Sequence, residues 1–239
     1  MKAYLRLLLI LSLVSPLMAM PNVDTIDTPT AVTLPRASYA VGLWGYNDGG
    51  ILTKAIVGIH DQIYFGVSFD VENAIGSQQA QFNVPGVIAK IKFTDGWAEM
   101  PFLIAAGYDS FYSGKNGKIE GADNPFARVI YGPYAVVTKP IFLFGLQQNL
   151  HFGVRTPVQP LYVPEDTSGF VSLDFPIGNF VPMIELGRVY FDADRTNEIL
   201  MNVGFRFNFF ENLSVELDFM MQRGETTNRM LIFEYMDTF

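Results

Sequence analysis

The stretch QIYFGVSFDVE, residues 62–72, decides the fold. Ile63, Phe65, Val67, Phe69 and Val71 fall on one parity. Gln62, Tyr64, Gly66, Ser68, Asp70 and Glu72 fall on the other. A period of two with one apolar and one polar face is a half-buried β-strand. The pattern recurs in residues 200–210, where Met201, Val203, Phe205, Phe207 and Phe209 oppose Asn202, Gly204, Arg206 and Asn208. In residues 212–222, Leu213, Val215, Leu217, Phe219 and Met221 oppose Ser214, Glu216, Asp218 and Gln222. The chain then ends NRMLIFEYMDTF, residues 228–239, with Leu231, Phe233, Tyr235 and Phe239 on one parity. A strand that runs to the last residue leaves an edge that must be paired. Closing a ring against the first strand pairs it.

Read along its length, the alternation predicts about twelve strands, over residues 38–47, 51–60, 62–72, 86–94, 101–109, 127–138, 147–156, 168–175, 181–191, 197–209, 212–222 and 227–239. Most have the roughly 9–11 residues that a tilted strand needs to cross a bilayer. With a periplasmic N-terminus, the even links are short: His60–Asp61, 95–100, 176–180 and 211–212. The odd links 73–85, 109–126 and 157–167 are longer. Short turns on one side and long loops on the other are the mark of an outer-membrane barrel. Two links depart from the rule. Asp48-Gly49-Gly50 is an odd link but tight, and the even link PIFLFGLQQ at 140–148 is apolar and ragged. The expected fold is therefore an all-β transmembrane antiparallel up-and-down barrel over residues 38–239 in the bacterial outer membrane. Residues 1–19, with Lys2 and Arg6 before an apolar run, read as a signal peptide cleaved near Ala19. Residues 20–37 are polar, rich in Pro and Thr, and without periodicity. They read as an extended periplasmic lead-in.

Composition agrees with export to a lipid phase. Phenylalanine contributes 21 residues, and only 17% of residues are charged, against about 25% in soluble proteins. The net charge of −8 excludes a general nucleic-acid binder. There is no cysteine, hence no disulfide and no thiol chemistry. The terminal pattern Phe233, Tyr235, Phe239 resembles the signal by which the barrel-assembly machinery recognises its clients, with Asp237 as a departure. The expected partners are that machinery and outer-membrane lipid.

By parity, the lumen receives Lys54, Asp70, Glu72, Lys90, Lys92, His151, Arg155, Asp174, Glu185, Arg206, Glu216, Asp218 and Glu234. Equal counting back from the 210–212 turn places Arg206 opposite Glu216, with Glu234 close on the other side of Glu216. Arg206 is expected to bridge the two acids. Such a ladder either plugs a barrel or lines a narrow water path, and about twelve strands is compatible with both. Two histidines test the case for catalysis. His60 at a tight turn has Ser68 on the next strand, and His151 lies mid-strand on the polar face. No companion acid follows from spacing and no G-x-S-x-G elbow occurs. No pattern calls for a metal or a cofactor. The reading is non-enzymatic.

Certain residues also carry a family resemblance. Pro29-Thr30-Ala31 with Leu34-Pro35, the Asp48-Gly49-Gly50 turn, Gly58-Ile59 with Asp61, Gly66-Val67-Ser68, ENAIGS at 72–77 and GYDS at 107–110 resemble the YjbH-like outer-membrane barrels associated with exopolysaccharide production. The resemblance covers the first half of the mature chain by motif and the second half by pattern. It implies a membrane barrel with a role in exporting or assembling surface polysaccharide, which would then be a further partner. Members of that family are larger and carry a lipidated cysteine, so this chain would be a short, single-barrel member. The alternatives are a small passive or weakly selective channel, a lipid-acting barrel enzyme and a soluble periplasmic β-sandwich.

Overall fold

The computed structural model describes residues 20–96, 100–113, 128–143, 145–157, 164–191, 194, 198–224 and 227–239. The expected signal peptide, 1–19, lies outside the described residues. The strands are β1 (Ser38–Tyr46), β2 (Gly50–His60), β3 (Ile63–Glu72), β4 (Gln81–Phe82), β5 (Gly86–Lys92), β6 (Leu103–Ser113), β7 (Arg128–Leu143), β8 (Leu146–Arg155), β9 (Ser168–Asp174), β10 (Phe180–Tyr190), β11 (Leu200–Phe209), β12 (Leu213–Gln222) and β13 (Asn228–Thr238). Each long strand pairs antiparallel with its neighbours in sequence, and β1 pairs with β13 from Ser38↔Thr238 to Gly45↔Leu231. The ring is closed with twelve strands, and β4 is a two-residue addition to the outer end of β3. Closure leaves the last strand no free edge. Tyr39 packs against Phe239 across the seam, rings tilted by 41° with centroids 5.1 Å apart, and the Phe239 amide donates to Ala37 O at 2.8 Å. Asp237, the departure in the terminal pattern, accepts the Tyr235 hydroxyl at 2.7 Å.

The barrel is inverted relative to a soluble protein. On β3, Phe65, Val67 and Phe69 are 49%, 42% and 51% exposed, whereas Ser68 and Asp70 between them are 2% and 3% exposed. The outer face of the other strands repeats this with residues such as Leu43, Phe152, Ile184, Phe207 and Leu231. Such a belt is stable only against lipid. Ten residues at about 3.3 Å rise and a tilt near 45° span roughly 24 Å, the height of an outer-membrane apolar band.

The links divide by side. Residues 61–62, 93–102, 144–145, 175–179 and 210–212 join strands at the end where β1 starts and β13 finishes, which is the periplasmic end in such barrels. At the other end β3 finishes at Glu72 and β5 begins at Gly86, β6 finishes at Ser113 and β7 begins at Arg128, and β8 finishes at Arg155 and β9 begins at Ser168. The link expected to be ragged at 140–148 is instead strand. β7 and β8 continue through it to the pair Leu143↔Leu146, because Gly145 at φ +77° closes a tight turn. Residues 81–83 run back along the outer end of β3, where Asn83 N donates to Asp70 O at 3.0 Å.

The main correction concerns residues 20–37. The segment expected to lie extended in the periplasm enters the barrel, and Val23, Ile26, Ala31 and Leu34 are buried among the inward side chains. It forms a hairpin. Thr25 N donates to Thr28 O at 2.9 Å and Thr30 N to Val23 O at 3.1 Å, with Asp24 bridged to Pro29. Thr residues in the turn bond their own backbone and neighbours, as Thr30 Oγ1 does to Asn22 O at 2.6 Å. The second arm returns to the periplasmic end. There Thr33 donates to Asp61 O, and Ala37 N to Gly58 O. Gly58 is required at that crossing, since a Cβ would lie 2.0 Å from Pro35 O.

Candidate functional site: the filled lumen

The hairpin is seated by apolar sockets and by polar anchors. Ile26 at its tip packs among Trp44, Leu52, Met183, Leu200 and Met220, in the outer half of the barrel. Val23 and Leu34 pack with Ile56, Tyr64 and Ile88, and Ala31 with Tyr134 and Phe170. These inward aliphatic and aromatic residues interrupt an otherwise polar interior. They make sense only with an apolar partner inside the ring. Gly204 leaves room for the tip, because a Cβ there would lie 2.9 Å from Ile26 Cγ1.

Glu185 on β10 is the principal anchor. Its Oε2 accepts Thr25 Oγ1 at 2.9 Å, Asp27 N at 3.0 Å, Thr28 N at 3.1 Å and Thr28 Oγ1 at 2.9 Å. Its Oε1 accepts the Asn202 amide at 2.7 Å. Ser172 Oγ on β9 lies 3.1 and 3.2 Å from the same two threonine oxygens, and with both threonine protons on Glu185 its own hydroxyl donates to them. The wall cations take hairpin oxygens. Lys54 Nζ lies 3.1 Å from Asp24 Oδ2. Lys90 Nζ donates to Val23 O at 2.7 Å and Val32 O at 3.3 Å, and sits 5.1 Å above the Tyr64 ring. Arg155 donates to Asp27 O and Asp27 Oδ2, each at 3.1 Å. Arg206 donates to Asn22 Oδ1 and, at 3.1 Å, to Asp24 O.

Arg206 also donates through Nε to Glu216, its cross-strand partner. Glu234 lies on the other side of Glu216, on β13, and lines the same cavity as Arg206 and Glu216. It stands opposite Ser214, and Ile232 is opposite Glu216, so the second acid is displaced one diagonal step along β13. Asp218 is fully buried opposite Gly204. At the outer mouth Asn83 donates to Asp70 at 2.7 Å and Glu72 at 3.0 Å, and Tyr46 donates to Asp70 at 2.8 Å. Lys92 is at the periplasmic end and pairs with Asp95 at 2.9 Å.

His151 joins Thr138 and Asp174 in a hydroxyl–imidazole–carboxylate line, Oγ1···Nδ1 2.8 Å and Nε2···Oδ2 3.1 Å. Asp174 accepts Nε2–H, while Nδ1 and Thr138 Oγ1 share the other bond and Thr138 Oγ1 also accepts Ala31 N at 2.8 Å. Asp174 further accepts Asn22 and Asn149, at 2.9 and 2.8 Å. All three side chains are buried, and the Thr138 oxygen is covered by the hairpin. In this arrangement the line fixes the hairpin and offers no approach to a reacting carbonyl. His60 is exposed at the end of β2, far along the strand from Lys54↔Ser68, so it does not meet Ser68. No group of three or more His, Cys, Asp or Glu suited to a metal occurs among the described residues.

The parity argument finds the wall residues but not the hairpin residues that meet them: Asn22, Asp24, Thr25, Asp27, Thr28 and Ala31. One signal for them exists in the sequence. Strands such as β2 and β10 are apolar on both faces at Leu52, Ile56, Val181 and Met183, which demands something apolar within the lumen. With the hairpin in place, a cavity of about 40 Å³ is left beside Asp24, Lys54, Tyr134, Arg155 and Arg206. That holds only a few waters.

No family model and no curated protein sequence matches the chain. Among solved structures, the KdgM porin in complex with disordered oligogalacturonate aligns over 83% of this chain and 98% of its own, with TM-score 0.54 and 9% identity. The Acinetobacter baumannii outer membrane protein Omp33 aligns over 84% and 97%, with TM-score 0.47 and 9% identity. Outer membrane phospholipase A from Escherichia coli aligns over 90% and 94%, with TM-score 0.44 and 9% identity. At such identities the fold is what is shared, and the chain has the fold of a bacterial outer-membrane β-barrel.

Proposed function

We propose that the chain is a non-enzymatic outer-membrane barrel, YjbH-like, that serves the export or assembly of surface polysaccharide and rests with its lumen shut by its own N-terminal hairpin. The observation that carries this reading is the hairpin itself. The motif residues Thr30 and Ala31, which carry part of the resemblance, are buried in the lumen, and Ala31 is bonded to Thr138. A barrel filled in this way is a poor passive pore. The hydroxyl of the Thr138–His151–Asp174 line is occupied by the hairpin, which speaks against lipid hydrolysis. A second reading is favoured by the fold likeness to a porin, namely a channel that conducts when the hairpin withdraws. The test is removal of the gene with recovery by wild type, measured as surface polysaccharide. Loss on removal and recovery on complementation are expected. Unchanged polysaccharide overturns the polysaccharide role and leaves the channel reading, which conductance in planar bilayers then decides.

A further inference from the structure

The lipid face of one sector carries charge at its two edges. On β11 the outward residues Met201, Val203, Phe205, Phe207 and Phe209 are uncharged. So are Leu213, Val215, Leu217, Phe219 and Met221 on β12, and Tyr39, Val41, Leu43 and Gly45 on β1. On β13 between them the outward set is Arg229, Leu231, Phe233, Tyr235 and Asp237. Arg229 is exposed between buried Asn228 and Met230, and its cross-strand partner is Phe219. From Thr238 to Arg229, β13 climbs roughly 21 Å at about 3.3 Å per residue and a tilt near 45°, which puts Arg229 at the outer edge of the apolar band. Arg223, just beyond the end of β12, falls on the same outward parity and is exposed too. Neither guanidinium makes an ion pair among the described residues, and Asp48 in the adjoining turn Asn47–Gly49 pairs with neither. The backbone at Arg229 is fixed. Its N–H donates to Asn47 Oδ1 at 3.3 Å, and Asn47 N–H donates to Asn228 Oδ1 at 3.4 Å. Beside Leu231, the next outward residue, the wall has a gap. Gly45 stands between its cross-strand partners Leu231 and Ile51, and a Cβ there would meet nothing nearer than Leu231 O at 3.8 Å.

We propose that Arg229 and Arg223 bind the phosphate of an outer-leaflet lipopolysaccharide molecule, with one of its acyl chains lying in the gap at Gly45. Cations at headgroup depth above an apolar gap match an amphiphile whose anionic group sits beside its acyl chains. Guanidinium groups suit phosphate, because they form paired charge-assisted hydrogen bonds with its oxygens. The outer leaflet of a bacterial outer membrane is built from such a phosphorylated glycolipid. Solvation alone would accommodate Arg229, since the cost of a cation on the lipid face falls close to nothing at the interface. It would leave the gap at Gly45 without a role. The site is on the lipid face, so it is independent of the hairpin and of what the lumen handles.

The full-length barrel in neutral detergent would be titrated with lipid A bearing its phosphates, with the same lipid stripped of phosphate, and with phosphatidylglycerol. Bound lipid is counted by native mass spectrometry, and folding of every variant is checked by heat-modifiable gel migration. The site predicts one tightly held lipid A, at least fivefold weaker binding of the dephosphorylated form and at least threefold weaker binding of phosphatidylglycerol. Arg223→Gln/Arg229→Gln should lower lipid A affinity at least fivefold. Gly45→Leu, for which the wall has room, should lower it at least threefold with both cations in place. Lys139→Gln, on the outward parity at the periplasmic end, should leave it unchanged. Equal binding of the two lipid A forms by the wild-type protein overturns the site without recourse to any variant. Equal binding of phosphatidylglycerol overturns the glycolipid as its occupant. Unchanged affinity in the folded double arginine variant means exchangeable boundary lipid only and overturns the role of the arginines. Unchanged affinity in Gly45→Leu overturns the placement of the acyl chain.

Discussion

Removing the Glu185 carboxylate should unseat the hairpin without unfolding the barrel. Glu185 is 2% exposed, and its Oε2 accepts four hydrogen bonds from Thr25, Asp27 and Thr28. A hydrogen bond to an ionised acceptor contributes about 1.5–3 kcal/mol net. Four donors share one oxygen, so we count two full bonds, or about 3 kcal/mol. At about 1.4 kcal/mol per decade, Glu185→Ala should raise the hairpin-out population roughly 150-fold. Lys54, Lys90, Arg155, Arg206 and the Ile26 socket remain, and the strand ladder is untouched, so the barrel should keep its heat-modifiable gel migration. The assay is single-channel recording in planar bilayers, where the open fraction should rise by about two orders of magnitude. A Thr28→Cys reporter in the same background should gain reactivity toward a bulky maleimide in proportion. Glu185→Gln keeps an acceptor of the same shape and should produce a smaller change. A folded Glu185→Ala barrel with unchanged conductance and unchanged labelling would refute the reasoning.

Arg206→Leu strips the guanidinium from Glu216, which is 2% exposed, and from Asn22 and Asp24 O; breaking a buried pair costs about 3–5 kcal/mol. The midpoint of heat modification should then fall by roughly 10 °C, and an unchanged midpoint would mean that lumen water screens the group. At Gly204 a Cβ would lie 2.4 Å from Asp218 Oδ1 and 2.9 Å from Ile26 Cγ1. Gly204→Val should therefore expel the tip and open the pore in bilayers, and a closed, folded variant would contradict the tip placement. Epitope tags within 73–85 or 157–167 should be reached on intact cells while a tag at 177–179 should not, and the reverse result would invert the orientation.

The barrel is legible in the sequence because its driving force is periodic. An outward lipid belt and an inward polar face force a period of two on every strand, and a one-residue slip would put Arg206 or Asp70 into lipid. The same parity brings Arg206 opposite Glu216, because a short turn fixes the register of β11 and β12. Glu234 comes one diagonal step from Glu216, because β12 and β13 pair Ser214 with Glu234 and Glu216 with Ile232. The hairpin is not legible, because it is a turn held by tertiary contacts. Its threonines bond across more than a hundred residues to Ser172 and Glu185, and no local pattern encodes that. At 140–148 the aliphatic run reads as a ragged link only if Gly145 is overlooked. Its positive φ lets β7 and β8 stay paired to their ends.

The central claim is that the N-terminal hairpin fills the lumen of a folded outer-membrane barrel. Its most direct test is a mild oxidation of whole outer membranes containing full-length Thr28→Cys/Ser172→Cys protein, followed by non-reducing electrophoresis. The account predicts near-quantitative formation of the 28–172 disulfide in the heat-modifiable species, and none when the second cysteine is placed on the lipid face at Val171. A folded barrel in which residues 28 and 172 do not crosslink would contradict it.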